Sequence, residues 1–245
     1  MKGVFLQQQL EFRLNAEGDF RQGSAIKCEM SVKNHLAEDR VLKNLALCLA
    51  LGDLKKVKRK EQDAFTIVSA AELPLEVHLK AEDTVNYSWT FTIDPNGVIS
   101  DKSQSLYILF GNSANLDVLG QLPLTVTPHQ DIVEVLAVFE SAFNFVVKGK
   151  KSSKDWLCIK IQPAAAAKYS MLDQLTLSTH FDGELLKLKY VFDLKRFEAT
   201  ASSLGVSKKK STVLQDFPAE QYKRDGFVDH GVIEEQINAA LAEVI

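Results

Sequence analysis

Along residues 75–111 the chain alternates apolar and polar side chains with a period of two. Leu75, Val77 and Leu79 are interleaved with Glu76, His78 and Lys80; Val85, Tyr87, Trp89, Phe91 and Ile93 are interleaved with Asn86, Ser88, Thr90 and Thr92. That period marks strands with one buried face. Asp94-Pro95-Asn96-Gly97 follows, where proline presets φ and Asn-Gly accepts a left-handed backbone, so the chain is expected to reverse into a third strand over 105–110. These strands read as one sheet around which the rest of the chain is organised.

Upstream, 4–14 and 23–34 read as an opening pair of strands joined by a turn at 15–19, the second setting Ile26, Cys28, Met30 and Val32 against Lys27, Glu29, Ser31 and Lys33. Residues 45–51 are apolar at every position. This suits a central strand covered on both faces, and a short buried helix would have the same composition. The basic run Lys55, Lys56, Val57, Lys58, Arg59, Lys60 then breaks the pattern and reads as a solvated loop. Strands at 64–70 and 120–127 bring the number to about eight at short spacing, the rhythm of an antiparallel sandwich.

At Thr127 the texture changes. Threonine as N-cap, Pro128 at the first helical position and Gln130 at the third form a capping-box signature, and Ile132, Val135, Leu136, Phe139 and Phe143 recur at helical spacing. Strands at 145–148 and 156–162 then flank a second basic loop carrying Lys148, Lys150, Lys151 and Lys154. Segments 176–181 and 184–194 read as a hairpin about Asp182-Gly183, a type I′ signal. The serine- and lysine-rich stretch 199–221 reads as a connector. An amphipathic helix over 232–245 places Ile233, Ile237, Leu241 and Val244 on one face, with Glu234 and Glu235 near its start suiting the dipole. The expected division is a sandwich over 1–127, a smaller α+β module over 128–198, and a connector with a C-terminal helix over 199–245.

Composition narrows the function. At 27.3 kDa and 46% hydrophobic residues, the chain is expected to bury roughly 70–75% of its unfolded surface. A net charge of -3, with 29 basic residues facing 32 acidic ones, argues against nucleic-acid binding, which needs a dense basic surface. Cys28, Cys48 and Cys158 each sit in a strand-like apolar pattern, as buried thiols of a reducing compartment do. Residues 1–6 give way to Gln7-Gln8-Gln9 without the apolar stretch of a signal peptide, and Gly3 is misplaced for myristoylation. The longest apolar run, 45–51, falls well short of the roughly 18 residues needed to cross a bilayer, so a soluble, cytoplasmic protein is expected.

Reactive chemistry finds no anchor in the sequence. The histidines His35, His78, His129, His180 and His230 are scattered and no Cys-x-x-Cys occurs, so no metal site is assigned. Neither phosphate-cradling glycine motif is present, nor is the Gly-x-Ser-x-Gly elbow. Asp173, Asp182, Asp193 and Glu184 are acid–base candidates in type, but their strand and turn positions suit solvation. Trp89 and Trp156 sit on strand faces as core aromatics do. No catalytic residue and no cofactor is assigned.

The order of elements resembles a known family. The opening strands, with the extended-turn-extended unit 86–100 and the return over 106–110, resemble the N-terminal sandwich of arrestin-like proteins. The helix over 128–143, Lys160-Ile161-Gln162-Pro163, Leu172-Asp173-Gln174-Leu175 and the run 186–196 are similar to the bacterial sporulation-control proteins of the SpoOM type, which join such a sandwich to a smaller α+β module. The resemblance covers roughly residues 1–197 and leaves the tail unplaced. The chain departs from the pattern at Asp94-Pro95, where arrestin-like domains commonly have Leu-Pro, and at Ala164, Ala165, Ala166 and Ala167.

The resemblance implies a mainly β protein that acts as a non-enzymatic cytoplasmic adaptor or regulator through other proteins. Candidate partner-binding residues are Lys55, Lys56, Lys58, Arg59 and Lys60, then Lys148, Lys150 and Lys151, and on the tail helix Ile233, Ile237 and Leu241. The alternative is peripheral contact with anionic membranes through the two basic loops, each side chain adding about 1 kcal/mol near the surface. A third reading, an enzyme whose residues converge from distant strands, requires a pocket with perturbed ionisable groups.

Overall fold

A computed structural model describes residues 1–71, 73–112, 117–200 and 203–244. They divide into two units, Met1–Thr127 and Pro128–Ile245, each with its own sheets.

The first unit runs β1 (Lys2–Gln7), β2 (Leu10–Glu17), β3 (Ala25–Asn34), β4 (Arg40–Lys43), β5 (Leu45–Asp53), α1 (Leu54–Arg59), β6 (Phe65–Ala71), β7 (Glu76–Leu79), β8 (Thr84–Thr92), β9 (Gln104–Asn112) and β10 (Asp117–Leu124). Two antiparallel four-stranded sheets, β1-β2-β3-β8 and β10-β9-β5-β6, form a sandwich, and β4-β7 is a separate short ladder. The three strands expected to form one sheet therefore enter three: β7 pairs with β4, β8 with β3, and β9 with β5. Alternation reveals that a strand has one buried face and is silent about its partner. The turn at Asp94 is as expected, with the Gly97 N–H donating to the Asp94 carbonyl at 2.8 Å, but it carries the chain from one sheet to the other.

The inward positions are Phe12, Leu14, Ile26, Met30 and Val32 from one sheet and Leu47, Leu49, Ile108 and Phe110 from the other. The Phe110 ring sits 4.7 Å from Phe12 and 5.2 Å from Phe5, joining the sheets through aromatic contact. Gly120 makes room for it, since a Cβ there would lie 2.0 Å from the Phe110 ring. Strand β5 is covered on both faces: Leu47 and Leu49 enter the main core, while Ala50 joins Tyr107 and Leu109 beneath Leu54, Val57 and Phe65. That second patch explains why the basic run is a helix and not the expected loop. Leu54 and Val57, three apart, cover it, and the lysines take the remaining faces.

The second unit runs α2 (Gln130–Ser141), β11 (Val146–Ser153), β12 (Trp156–Gln162), a 3-10 turn (Ala167–Tyr169), β13 (Leu172–Asp182), β14 (Leu185–Thr200), β15 (Ser203–Pro218), α3 (Ala219–Tyr222), β16 (Lys223–Arg224), β17 (Phe227–Val228) and α4 (His230–Ala242). Its main sheet is a meander in chain order, β11-β12-β13-β14-β15. One face is apolar and buried, through Ile159, Ile161, Leu175, Leu177, Leu188, Tyr190 and Phe192; Val135 and Phe139 of α2 and Ile233 and Ile237 of α4 are buried in the same unit.

Four expectations are corrected here. The connector over 199–221 is largely strand β15, paired with β14 from Leu185–Pro218 to Thr200–Ser203, so that the last part of the chain belongs to the second unit and is not a separate segment. Its polar residues hid it because β15 is an edge strand, in which Val213 and Phe217 are buried while Lys208, Lys209, Lys210 and Leu214 are exposed. The second basic loop is strand β11. Helix α2 is capped by the His129 ring, whose Nδ1 accepts from the Asp131 N–H at 3.2 Å, and the Thr127 N–H instead donates to the Phe20 carbonyl in the first unit at 2.9 Å. Asp182 pairs with Leu185, so the hairpin loop is Gly183-Glu184, with a positive φ of 61° at Gly183 alone, the type II′ pattern. A type I′ pattern does occur at Asp225-Gly226 (φ 51° and 83°), between β16 and β17.

Candidate functional site

Helix α1 presents the first basic run. Asp53 caps it, accepting from the N–H groups of Lys55 (2.8 Å) and Lys56 (3.2 Å), and Lys60 closes it in the left-handed conformation at φ 57°. Lys56, Lys58 and Arg59 in the last turn suit the negative end of the helix dipole. The five charges are not equivalent. Lys56 donates to Asp63, an exposed pair whose mutual hydrogen bond raises the Lys56 pKa and lowers that of Asp63. Arg59 lies 3.6 Å from Glu61. Lys55, Lys58 and Lys60 have no ion-pair partner among the described residues. A cleft of about 290 Å³ beside Lys56 is lined by Leu51, Asp53, Asp63, Ser103 and Gln104; the perturbed groups in it are the two members of that ion pair, and they perturb each other.

The second basic cluster sits on β11, the edge strand of the meander. Lys148 is the extra residue of a β-bulge between Val147 and Gly149, and Lys148, Lys150 and Lys151 are all exposed. Register then assembles what linear spacing does not show. Lys151 lies opposite Cys158, Cys158 opposite Ser178, and Ser178 opposite Lys189, so one cross-strand row carries a lysine on β11 and another on β14. Lys160, two residues beyond Cys158, shares that face. Sequence reading missed Lys160 and Lys189; the signal available was their alternation with Ile159 and Ile161 and with Leu188 and Tyr190. On the same face the Trp156 ring rests 5.2 Å from that of His180, whose Nδ1 is 2.8 Å from the Asp155 carbonyl oxygen. Of the four carboxylates weighed for acid–base chemistry, three are tied to lysine, and Glu184 is exposed in the Gly183-Glu184 turn. Asp173 pairs with Lys208 (2.7 Å) and Lys195 (3.3 Å), Asp182 with Lys187 (2.7 Å), and Asp193 with Lys210 (3.6 Å). Hydrogen bonds from Lys208 and then Lys195 hold the Asp173 carboxyl below its usual range.

The tail-helix residues do not form a surface. Ile233, Ile237 and Leu241 are 1%, 1% and 5% exposed, and α4 is fastened to the unit by the Gln215 amide donating to the Gln236 carbonyl at 3.0 Å and by His230 beside Glu134 at 2.8 Å. Their helical spacing marked a core-facing stripe, the commonest reason for such spacing. The sequence also gave no warning of Asp131, a buried carboxylate that accepts from the Tyr222 hydroxyl at 2.8 Å and pairs with Lys223 at 2.6 Å. Burial, and next the hydrogen bond to Asp131, push the Tyr222 hydroxyl far above its ordinary range. The cluster is a clamp between α2 and the α3–β16 segment, with the buried charge compensated by an ammonium and a hydroxyl. Among the described residues no group of three or more His, Cys, Asp or Glu side chains is placed to hold a metal ion, and no helix is long and apolar enough to cross a membrane.

No family model matches the chain, and no curated protein matches its sequence. Among solved structures, the crystal structure of Spo0M, sporulation control protein, from Bacillus subtilis matches with a TM-score of 0.66 at 14% identity, covering 97% of this chain and 99% of that chain. The chain has the Spo0M fold. The likeness extends over both units and past residue 197, where the sequence resemblance stopped. At this identity the relation to Spo0M is one of architecture, a mainly β fold with a C-terminal helix.

Proposed function

We propose that the protein is a non-enzymatic regulatory adaptor of the cytoplasm that works by binding other proteins, with the solvent-facing charges of α1 among its contacts. The observation that carries this reading is the match to Spo0M along nearly the whole of both chains, since that protein is described as one of sporulation control. A role in sporulation itself is not required, because one scaffold serves many functions. The pairing of Asp173, Asp182 and Asp193 with lysines supports a non-catalytic reading of those carboxylates. Lys55, Lys58 and Lys60 are the charges on α1 that a partner meets without first breaking an ion pair.

The test is affinity capture with chemical crosslinking and mass spectrometry from the native host, run beside the variant K55E/K58E/K60E, which leaves the Lys56–Asp63 and Arg59–Glu61 pairs in place. A defined partner crosslinked to the first unit in the unaltered protein, and lost in the variant, is the expected outcome. Absence of any specific partner with either protein would overturn the adaptor reading, and retention of the partner by the variant would remove α1 from it.

A further inference from the structure

We propose that the solvent face of the β11–β15 sheet is a docking surface for anionic lipid bilayers. This inference stands apart from the adaptor reading and uses a different unit.

The first argument is charge. The chain as a whole is acidic, at -3, yet Lys151, Lys160 and Lys189 stand on this face with no carboxylate in ion-pair range among the described residues; Lys148 extends from the β11 edge at its bulge, and Lys150, opposite Ile159, belongs to the other face. The acidic groups in this part of the unit are largely neutralised. Asp173 meets two lysines, Asp182 and Asp193 one each, and Asp216 lies in register beside Lys187; Asp155 occupies the β11–β12 turn. The excess of positive charge is therefore concentrated on β11, β12 and the centre of the sheet.

The second argument is how that charge is spread. Lys151 and Lys189 are separated by three strand spacings, about 14 Å at ~4.8 Å per strand, and Lys160 stands on a strand between them. Three lysines on three strands match an extended plane of anionic headgroups. A single acidic peptide running along one strand meets only one of them, and strand addition at the β11 edge is obstructed by the bulge and lysines that commonly protect such edges. The third argument is the apolar content. Leu214, 68% exposed, lies directly across from Lys189, and the half-buried indole of Trp156 faces the same side. An aromatic, an exposed aliphatic and several long cationic side chains together are the composition of surfaces that rest at a bilayer interface.

The full chain is tested by cosedimentation with phosphatidylcholine vesicles, with and without phosphatidylserine, at low and at physiological salt. Expected are binding to the phosphatidylserine vesicles that weakens with salt, a fall in affinity of about 100-fold for K151Q/K160Q/K189Q and about fivefold for K189Q alone, and unchanged binding for K55Q/K58Q/K60Q. In the variant W89F, where Trp156 is the remaining tryptophan, its emission is expected to shift to the blue on anionic vesicles. Four results would overturn the proposal: no binding to phosphatidylserine vesicles at low salt, equal binding to neutral vesicles, undiminished binding by the triple variant with native circular dichroism, or tighter binding of polyglutamate or duplex DNA than of vesicles. Because the vesicle assay contains no other protein, its failure leaves the adaptor reading untouched, and the loss of a captured partner leaves this one untouched.

Discussion

The thiols show how burial sets reactivity one side chain at a time. Cys28 is 1% exposed and its pKa is pushed up to about 12, while that of Cys48 is raised by the same cause, so neither presents a thiolate at neutral pH. Cys158 is half-buried on the solvent face of its sheet. Brief alkylation of the native protein followed by peptide mass spectrometry is expected to label Cys158 first and to reach Cys28 and Cys48 only on unfolding. Asp131 is a stability determinant of another kind. Asp131→Ala strands the Lys223 ammonium and the Tyr222 hydroxyl, and a loss of about 3 kcal/mol is expected in urea unfolding. Tyr222→Phe should cost about 1 kcal/mol, and the double variant should lose less than the sum. For Asp173 the sign follows from its lowered pKa: the carboxylate stabilises the fold above the ordinary value of 3.8 and loses that contribution as pH falls through its lower folded value. Asp173→Asn is therefore expected to show a shallower decline in Tm on the acid side, by a small amount because the pair is solvent-screened. Neither Asp131 nor the His129 cap was legible in the sequence, because both depend on what the fold brings to the start of α2.

At the scale of elements, α4 tests the difference between a docking helix and a core helix. Ile237→Ala is expected to destabilise the second unit by about 3 kcal/mol in chemical denaturation, the cost of a large-to-small change in a packed interior. A solvent-facing residue would cost far less. The strands β3 and β8 were readable because one of their faces is buried and the other wet, which writes a period of two into the sequence, whereas 4–14, expected as one strand, is β1 and β2 folded back on each other at Gln8-Gln9. β15 was not readable, because an edge strand with lysines at successive positions has the composition of a linker. Helix α1 escaped for a related reason. Its apolar contribution is only Leu54 and Val57, too short a stripe to stand out within a run of five basic residues.

Across the whole molecule, the sandwich followed by a helix and a second sheet was legible from the rhythm of strands and the change of texture at Thr127, as were the local pairings of 4–14 with 23–34 and of 176–181 with 184–194, whereas the distant partners were not. The reason is that the pairings that close the first unit's sheets are non-local: Ile26 lies beside Phe91, and Leu47 beside Phe110. In the second unit every strand of the meander pairs with its neighbour in the chain. That contrast in topology has a consequence in time. Contacts near in sequence close with little loss of chain entropy, and distant ones must wait for long loops to close. Each unit carries a single tryptophan, Trp89 in the first and Trp156 in the second, so stopped-flow refolding of W156F and W89F follows the two separately. The second unit, although it lies later in the chain, is expected to reach its native fluorescence first, and the sandwich to set the slowest phase of the protein's birth.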